Sequence, residues 1–360
     1  MSEMESSLSP VINVGIIGAG YGLTSLLPVL ASIPEYKVIF VGKNSDIRAN
    51  TEIESRILKD AIFISPNDII SNSDIQLVVI ASPPPTHEEY ALAALEAGKN
   101  IYCEKPVGLN SNSVRRILQA SKKTKLISTV GYQFRYDPMI KWLKEQISSG
   151  ELGEITRVEI RWETSGASRT PATSWRNELK QGGGVLRDFG SHVFDYLSFM
   201  DAIKFPQIFD EPEGGYGFRN NKLDQDIQDI DFSGFFGSIG IHCTISRTRK
   251  HPIGHDIRVI GSKAEAHVTH KPPFGIEDVV LEVVTKAGIQ KEFCVQRFSN
   301  LEIPDSLLKR LDSRQLSSRN LFVELAQAIA GDFSDKLPTL EHALFNQKLA
   351  DEAERVLFSG

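Results

Sequence analysis

The sequence predicts an α/β protein in which a doubly wound parallel sheet is followed by an α+β domain with a largely antiparallel sheet. Up to Gly131, short apolar segments alternate with helical patterns, as they do when helices cover both faces of a parallel sheet. Beyond that residue, several segments alternate strictly between apolar and polar side chains, which is typical of antiparallel strands with one buried face. Because 360 residues exceed one ordinary domain, we predict a first domain over 1–131 and a second over 132–360.

An apolar strand over residues 11–17 runs into a glycine-rich turn, and a helix-like segment follows. Strand, glycine turn and helix is the context that a dinucleotide-binding site needs. In such a site Gly18 permits the tight turn, and Gly20 lets the backbone approach a pyrophosphate that rests on the helix N-terminus. The third glycine of the usual pattern would fall at Leu23, but Gly22 stands one place earlier. The alternative is a tight turn that binds nothing.

The remaining elements of the first half keep the alternating order of strand and helix. Predicted helices cover 46–58, the segment between Thr86 and Gly98, and 113–122. The predicted strands cover 36–41, 61–64, 76–81, 100–103 and 126–130. We interpret this half as a Rossmann domain.

The second half follows a different pattern. Residues 157–163 and 236–246 alternate between apolar and polar side chains, and three further segments resemble them, at 256–260, 264–269 and 278–285. One more helix is predicted over 139–148, and helices that cover the sheet are predicted over 185–200, 320–330 and 340–357. The acidic segment 209–231, rich in Asp, Gly and Asn, is predicted to be a long loop.

A lysine directly follows the predicted strand over 100–103, in the sequence Glu104-Lys105-Pro106. Pro106 cannot donate to a sheet ladder, so the strand ends here. In open parallel sheets, ligands bind outside the carboxyl ends of the strands. Lys105 is therefore a candidate to point its ammonium into a ligand site, and the alternative is a surface lysine.

The glycine-rich segment 182–195 contains Asp188, His192 and Asp195. On a helix that begins near Val185, Asp188 and His192 are four residues apart and share a face. A carboxylate beside an imidazole orients a general base and stabilises its charged form. The alternative is a solvated helix face with an ordinary ion pair.

Bulk composition excludes several classes of function. The net charge is −6 and the pI is near 5.8, so there is no basic excess for nucleic acid. The three cysteines have no paired spacing, which is typical of a reducing compartment. The N-terminal segment lacks the pattern of a signal peptide, and no apolar run approaches the roughly 18 residues of a membrane span. We expect a cytoplasmic protein with no membrane partner. No metal site is predicted, because the histidines lack a cysteine or carboxylate cluster.

Five motifs together resemble the family of glucose–fructose oxidoreductase, inositol dehydrogenase and the rhizopine-catabolism proteins (Gfo/Idh/MocA). The motifs are Gly-Ile-Ile-Gly-Ala-Gly-Tyr-Gly at 15–22, Ala-Ser-Pro-Pro-Pro-Thr-His at 81–87, Cys-Glu-Lys-Pro at 103–106, Gly-Tyr-Gln-Phe-Arg-Tyr at 131–136 and Gly-Gly-Gly-x-x-x-Asp-x-Gly-x-His-x-x-Asp at 182–195. The match covers nearly the whole chain. It implies an NAD(P)-binding Rossmann domain followed by a substrate-binding domain with an open sheet.

The resemblance also implies roles for individual residues. The family's catalytic lysine, aspartate and histidine fall on Lys105, Asp188 and His192. Its cofactor-side positions fall on the turn residues Gly18, Gly20, Tyr21 and Gly22 and on Ser82, Pro83, His87, Glu104, Gln133, Trp175 and Arg176. In the family, the Trp-Arg pair approaches the nicotinamide end of the cofactor.

The implied activity is hydride transfer between nicotinamide and a secondary alcohol or ketone of a sugar, polyol or related small molecule. His192 would be the general base, with its tautomer and charge set by Asp188, and Lys105 would stabilise the reacting oxygen. One alternative is a redox-neutral NAD-dependent glycosidase, and another is a non-catalytic cofactor-binding regulator. The presence of Lys105, Asp188 and His192 together disfavours the regulator.

The choice between NAD and NADP depends on the residues that follow the second strand. An NAD-preferring domain places an acid there for the ribose hydroxyls. Here the strand ends at Gly42 and is followed by Lys43, Asn44 and Ser45, so no acid stands at that position. Lys43 would attract a 2′-phosphate, with Asn44 or Ser45 donating hydrogen bonds. The sequence predicts a preference for NADP, and the alternative is a pocket that accepts both cofactors.

The exposed sheet face of the second domain is, by resemblance, a contact between subunits in a dimer or tetramer. In this chain that face would carry Arg157, Glu159 and Arg161. Because charges are buried only in pairs, such a face requires a partner with matching charges. We expect a homodimer or a homotetramer.

Overall fold

The computed structural model describes residues 11–42, 62–201, 215–221, 226–272, 278–285, 287–293, 312–332 and 335–358. The predicted helix over 46–58 and the predicted cofactor residues Lys43, Asn44 and Ser45 lie outside these ranges. The contacts divide the chain into two compact units. The first takes in Met1–Glu104, Arg116–Gly131 and Ser318–Leu340, and the second takes in Lys105–Arg115, Tyr132–Ser317 and Glu341–Gly360. The predicted division after residue 131 stays a prediction.

The first unit contains the predicted parallel sheet. Its strands in the described part of the chain are β1 (Ile12–Ile17), β2 (Tyr36–Gly42), β3 (Ile62–Ile64), β4 (Leu77–Ile80), β5 (Asn100–Cys103) and β6 (Ser128–Val130). They are ordered β3-β2-β1-β4-β5-β6, and each neighbouring pair is parallel. The strand order reverses between β1 and β4, and ligands bind at such a switch point.

Helices connect these strands. A π-helical turn (Gly22–Leu26) leads into α1 (Leu27–Leu30), and α2 (Pro66–Ser71) follows β3. The helices α3 (His87–Glu96) and α4 (Ser111–Ser121) come before and after β5. Strand β4 is buried along its whole length because both faces of a doubly wound sheet are covered.

The second unit is built on a sheet of eight strands within the described residues. They are β7 (Ile155–Glu163), β8 (Tyr216–Asn220), β9 (Asp229–Phe236), β10 (Ile239–Ser246), β11 (Gly254–Gly261), β12 (Glu265–His270), β13 (Val279–Thr285) and β14 (Gly288–Phe293). Their order is β14-β13-β12-β11-β7-β10-β9-β8. All neighbours are antiparallel except β7 and β10, so the predicted α/β fold class is confirmed.

The apolar residues of β7 face the core of the second unit. Val158, Ile160 and Trp162 are buried there beside α5 (Pro138–Ser148) and α6 (Ser191–Phe199). The predicted long loop over 209–231 is wrong in part, because it contains β8 and the start of β9. Its Asp-, Gly- and Asn-rich composition resembles a loop, but β8 is held by pairing with β9, which local composition does not reveal.

The helix α7 (Ser313–Ile329) corrects a second expectation. It was predicted to cover the antiparallel sheet, but its residues from Ser318 onward belong to the first unit. There the ring of Phe322 stacks on Tyr102 at 4.7 Å, and the Phe322 carbonyl accepts a hydrogen bond of 2.7 Å from the Tyr36 hydroxyl. The last helix, α8 (Leu340–Phe358), contributes Phe345, Leu349 and other apolar residues to the second core.

Candidate active site

Lys105 leaves the end of β5 and reaches a carboxylate 83 residues further along the chain. Its Nζ donates hydrogen bonds to Asp188 Oδ1 at 2.9 Å and to the Asp188 backbone carbonyl at 2.5 Å. The Lys105 side chain is 11% exposed and that of Asp188 is 7% exposed. The alternative of an ordinary surface lysine is therefore wrong, and both residues lie in the second unit.

Asp188 binds more than one cation. Its Oδ2 accepts a hydrogen bond of 3.1 Å from Arg176 Nε and lies 4.0 Å from Arg247 Nη1. Burial alone would raise the pKa of the Asp188 carboxyl, but Lys105, Arg176 and Arg247 together hold it well below its usual range. Arg247, which follows β10, was not among the predicted site residues. The sequence feature that could have identified Arg247 is its position directly after β10, a strand in which apolar and polar residues clearly alternate.

The predicted pairing of Asp188 with His192 is not found. Asp188 lies in a π-helical turn (Leu186–Gly190), and His192 lies just after it in α6. No hydrogen bond joins these two residues in the described structure, and Asp188 is directed to its three cations instead. The charge of Asp188 nevertheless acts to raise the pKa of His192, which is the predicted direction, and its role in setting the tautomer stays a prediction.

His192 is packed among aromatic rings. Its ring centroid lies 4.8 Å from that of Phe134, 6.1 Å from that of Trp162 and 6.2 Å from that of Tyr132. The Nδ1 atom is buried and has no hydrogen-bond partner among the described residues. Burial and the nearby Lys105 ammonium lower the pKa of His192 well below its usual range, although Asp188 opposes them. The imidazole is therefore neutral near pH 7, and a neutral imidazole is able to accept a proton.

Asp195 has a different role from Asp188. It accepts hydrogen bonds from Arg135 Nε at 2.9 Å and Arg135 Nη2 at 2.7 Å, and from Asn346 Nδ2 at 3.1 Å. The side chains of Arg135 and Asp195 are at most 5% exposed. This buried ion pair holds α6 against the 3-10 turn Gln133–Tyr136, which carries Phe134.

The glycine turn of the first unit has the shape that a dinucleotide requires. Gly18 has a φ of +128°, and a Cβ there would lie 2.3 Å from the Ala81 carbonyl oxygen. A Cβ on Gly22 would lie 2.9 Å from Ile16 Cγ2, so this residue permits the close packing of helix and strand. Leu23, which takes the place of the usual third glycine, is buried inside the π-helical turn. A Cβ on Gly20 would meet nothing within 4 Å, which leaves the backbone after Gly18 open to a phosphate group.

The loop after β4 lies against the glycine turn. His87 Nε2 is 2.7 Å from the Ser82 carbonyl oxygen, and Ser82 Oγ is 2.7 Å from Thr86 Oγ1. Thr86 Oγ1 also donates to the Pro83 carbonyl at 2.9 Å, and the Thr86 side chain makes no capping hydrogen bond to α3. His87 is buried and holds the Ser82 backbone in place. It therefore supports the loop and is not exposed to a ligand.

The other predicted cofactor residues are divided between the two units. Glu104 is buried in the first unit, where its Oε1 accepts a hydrogen bond of 2.6 Å from the Tyr102 hydroxyl. Gln133 is buried in the second unit, and its Oε1 has no partner among the described residues. The Arg176 guanidinium lies 4.4 Å from the ring centroid of Trp175 and binds Asp188, so this pair adjoins the lysine site. Tyr21 directly precedes the π-helical turn.

These features define the class of protein. A parallel sheet with an open glycine turn at its switch point is a dinucleotide-binding fold, and a lysine, a carboxylate and a neutral histidine are groups that catalyse proton transfer. The chain is an NAD(P)-dependent oxidoreductase. It belongs to the Gfo/Idh/MocA family: residues 12–132 match the family's NAD-binding Rossmann domain, and residues 140–267 match the GFO/IDH/MocA C-terminal domain.

Several dehydrogenases are similar to this chain. The inositol 2-dehydrogenase of Rhizobium meliloti (strain 1021) is 30% identical over 237 residues, which cover 63% of this chain and 67% of that protein. The myo-inositol 2-dehydrogenase of Thermotoga maritima is 27% identical over 263 residues, covering 70% of this chain and 73% of that protein. The solved structure of levoglucosan dehydrogenase with NADH and levoglucosan shares the fold, with a TM-score of 0.74 and 18% identity over 96% of each chain.

Two further observations concern the described residues only. No helix among them is long and apolar enough to cross a membrane. No three His, Cys, Asp or Glu side chains in the same part of the chain are grouped so that they could hold a metal ion.

Proposed function

We propose that the protein transfers a hydride between nicotinamide and a secondary alcohol or ketone of a sugar, polyol or related small molecule. The observation that carries this proposal is the buried ion pair of Lys105 with Asp188, in a unit where His192 is kept neutral. Relatives named as inositol dehydrogenases and a fold neighbour that binds levoglucosan support the class of substrate. The residues of the glycine turn, Gly18, Gly20 and Gly22, would hold the cofactor's pyrophosphate.

Lys105, Asp188 and His192 each have a part in this reaction. The bound cofactor supplies the hydride donor or acceptor. Lys105 donates a hydrogen bond to the reacting oxygen and stabilises its negative charge as a hydroxyl loses its proton. Asp188 holds the Lys105 ammonium in place. His192, neutral before the reaction, accepts the hydroxyl proton.

A panel of neutral and acidic sugars and polyols, each assayed with NAD and with NADP, tests the activity through the absorbance of the reduced cofactor. We expect oxidation of at least one compound in the panel and loss of that activity in His192→Asn. Lys123→Ala, a change at an exposed residue outside the site, is the matched control. Hydrolysis of a glycoside with no net change in the cofactor would contradict a dehydrogenase and favour the redox-neutral alternative.

We also propose that the cofactor is NADP rather than NAD. The support is the sequence after β2, where Lys43, Asn44 and Ser45 stand in place of an acid. A 2′-phosphate would be attracted by Lys43, so added salt should weaken NADP binding more than NAD binding. Dissociation constants of the wild type and of Lys43→Asp test this. A tighter constant for NAD than for NADP in the wild type would overturn the proposal.

We propose, finally, that the chain forms a homodimer or a homotetramer through the polar face of the second sheet. On that face Arg157 Nε lies 2.9 Å from Glu159 Oε1, and Arg161 Nη2 lies 3.1 Å from Glu163 Oε1. Charges already paired within a chain cost less to bury against a second copy. Light scattering at micromolar concentration should give a multiple of the 40.0 kDa chain mass, and a monomeric mass would contradict the proposal.

A further inference from the structure

Three cations surround a single carboxylate in the second unit. Lys105 binds Oδ1 of Asp188, while Arg176 and Arg247 both face Oδ2 at 3.1 and 4.0 Å. Asp188 supplies one negative charge, so this group carries an excess of positive charge. His192 does not add to the excess, because its imidazole is neutral.

The two arginines are held side by side by neutral groups. Arg247 donates from Nη1 to Gln228 Oε1 at 3.2 Å and from Nη2 to the Thr170 hydroxyl. Gln228 in turn donates from Nε2 to the Arg176 carbonyl at 2.7 Å, which connects the two arginine segments. Among the described residues, Asp188 is the single carboxylate within ion-pair distance of either arginine. These contacts within the second unit therefore fix the positions of both guanidinium groups.

Two guanidinium groups that share one carboxylate oxygen repel each other. Burial, together with Arg176, lowers the pKa of Arg247, although Asp188 opposes this. The Arg247 side chain is 6% exposed, so water screens its charge poorly, whereas that of Arg176 is 35% exposed and accessible to a ligand. An anionic group that binds beside these two guanidinium groups would offset their mutual repulsion and would therefore be bound favourably. Guanidinium groups match the planar fork of a carboxylate particularly well.

We propose that the substrate is a polyhydroxylated acid, such as a uronic or aldonic acid, whose carboxylate binds beside Arg176 and Arg247. This inference rests on the proposed dehydrogenase function and narrows its substrate class. The hydroxyl that is oxidised would meet Lys105, which lies on the other oxygen of the same aspartate. Arg247 would then determine specificity and would not take part in hydride transfer.

Matched pairs of compounds test the proposal. We expect kcat/KM for glucuronate or gluconate to exceed that for glucose or myo-inositol by about 10²-fold, the scale of a charge-assisted hydrogen bond. Arg247→Gln should remove most of this preference by raising KM for the acid, measured as the ratio of kcat/KM for the acid to that for the neutral compound in the same variant, because a loss common to both compounds cancels in that ratio. Arg247→Lys should restore part of it. Arg176→Gln, a change at a less buried residue, repeats the test if Arg247→Gln fails to fold, and Arg355→Gln on the exposed face of α8 is the control.

The outcomes separate this inference from the function on which it rests. Turnover of neutral sugars or sugar phosphates with no preference for carboxylates would overturn the inference and leave the dehydrogenase intact. Weaker NAD(P) binding in Arg247→Gln, with an unchanged KM for the acid, would assign the arginines to the cofactor phosphates and also overturn it. If no compound is turned over, the proposed function fails. Calorimetric titration with glucuronate then tests the inference. If glucuronate binds the wild type and binds Arg247→Gln more weakly, the inference is supported. If glucuronate does not bind, the inference is overturned.

Discussion

Lys105 donates two hydrogen bonds to one residue, Asp188, through its carboxylate at 2.9 Å and its backbone carbonyl at 2.5 Å. Two contacts from a single ammonium fix its position better than one contact would. The carboxylate is itself held by Arg176. Asp188 is therefore the residue that positions the lysine, and the stability and chemistry of the site depend on its charge.

Replacing Lys105 by alanine should lower turnover by at least ~10²-fold, the scale expected when a positioned electrostatic group is lost. Binding of NAD(P) should remain largely intact, because the glycine turn is not altered. Steady-state kinetics on the true substrate and a separate cofactor titration measure the two effects. Lys123→Ala is the control, and near-normal turnover of purified Lys105→Ala would exclude the catalytic assignment.

Replacing Asp188 by asparagine should destabilise the protein in a pH-dependent way. The folded carboxyl has a lowered pKa, so its contribution is complete above about pH 5 and is lost as the pH falls through the folded value. At pH 7 the cost should be about 3–5 kcal/mol, because buried cations lose their partner. Urea unfolding of wild type and variant at several pH values measures the difference, which should shrink below about pH 5.

The control for this prediction is Glu352→Gln, which removes a carboxylate from a more exposed pair outside the proposed subunit contact. That change should cost less than about 1 kcal/mol. A difference between wild type and Asp188→Asn that does not depend on pH would show that the charge of Asp188 is not the cause.

His192 should remain neutral well below the ordinary histidine pKa of about 6.5. Because the folded imidazole resists protonation, its neutral form favours folding above that value, and stability is lost as the pH falls below it. Lys105 contributes to the lowered pKa, so Lys105→Met should raise the pKa of His192. NMR titration of the imidazole signals measures the pKa of His192 in the wild type and in Lys105→Met, with Lys123→Met as the control. A wild-type His192 that titrates near 6.5 would be incompatible with the buried geometry.

The glycine turn offers a matched pair of substitutions. Gly18→Ala should destabilise the first unit by more than ~1 kcal/mol, because its φ is positive and its Cβ would collide with the Ala81 carbonyl. Gly20→Ala should change the free energy of unfolding by no more than about 0.5 kcal/mol, because its Cβ meets nothing. It should nevertheless weaken NAD(P) binding by at least ~10-fold, because the methyl group occupies the space a pyrophosphate needs. Unchanged cofactor affinity in Gly20→Ala would place the pyrophosphate elsewhere.

Much of the fold could be predicted from local patterns. The short apolar strands of the first unit and the alternation of Val158, Ile160 and Trp162 lie near their predicted positions. Strand β8 and the packing of Phe322 on Tyr102 could not be predicted from local patterns, because each depends on a partner elsewhere in the chain. The sequence motifs also predicted Lys105, Asp188 and His192 as site residues, and the structure joins Lys105 to Asp188.

By itself, the sequence determined the glycine turn, the end of β5 before Pro106 and the alternating faces of the second sheet. Those features follow from backbone chemistry and periodicity within a few residues. Only the tertiary structure decided which groups meet at Asp188. Among the described residues Asp188 is hydrogen-bonded to Lys105 and Arg176 and not to His192, and folding brings Lys105 and Arg247 to it from distant segments. Charges separated along the chain are paired by the packing of the elements that carry them, and spacing in the sequence does not encode that pairing.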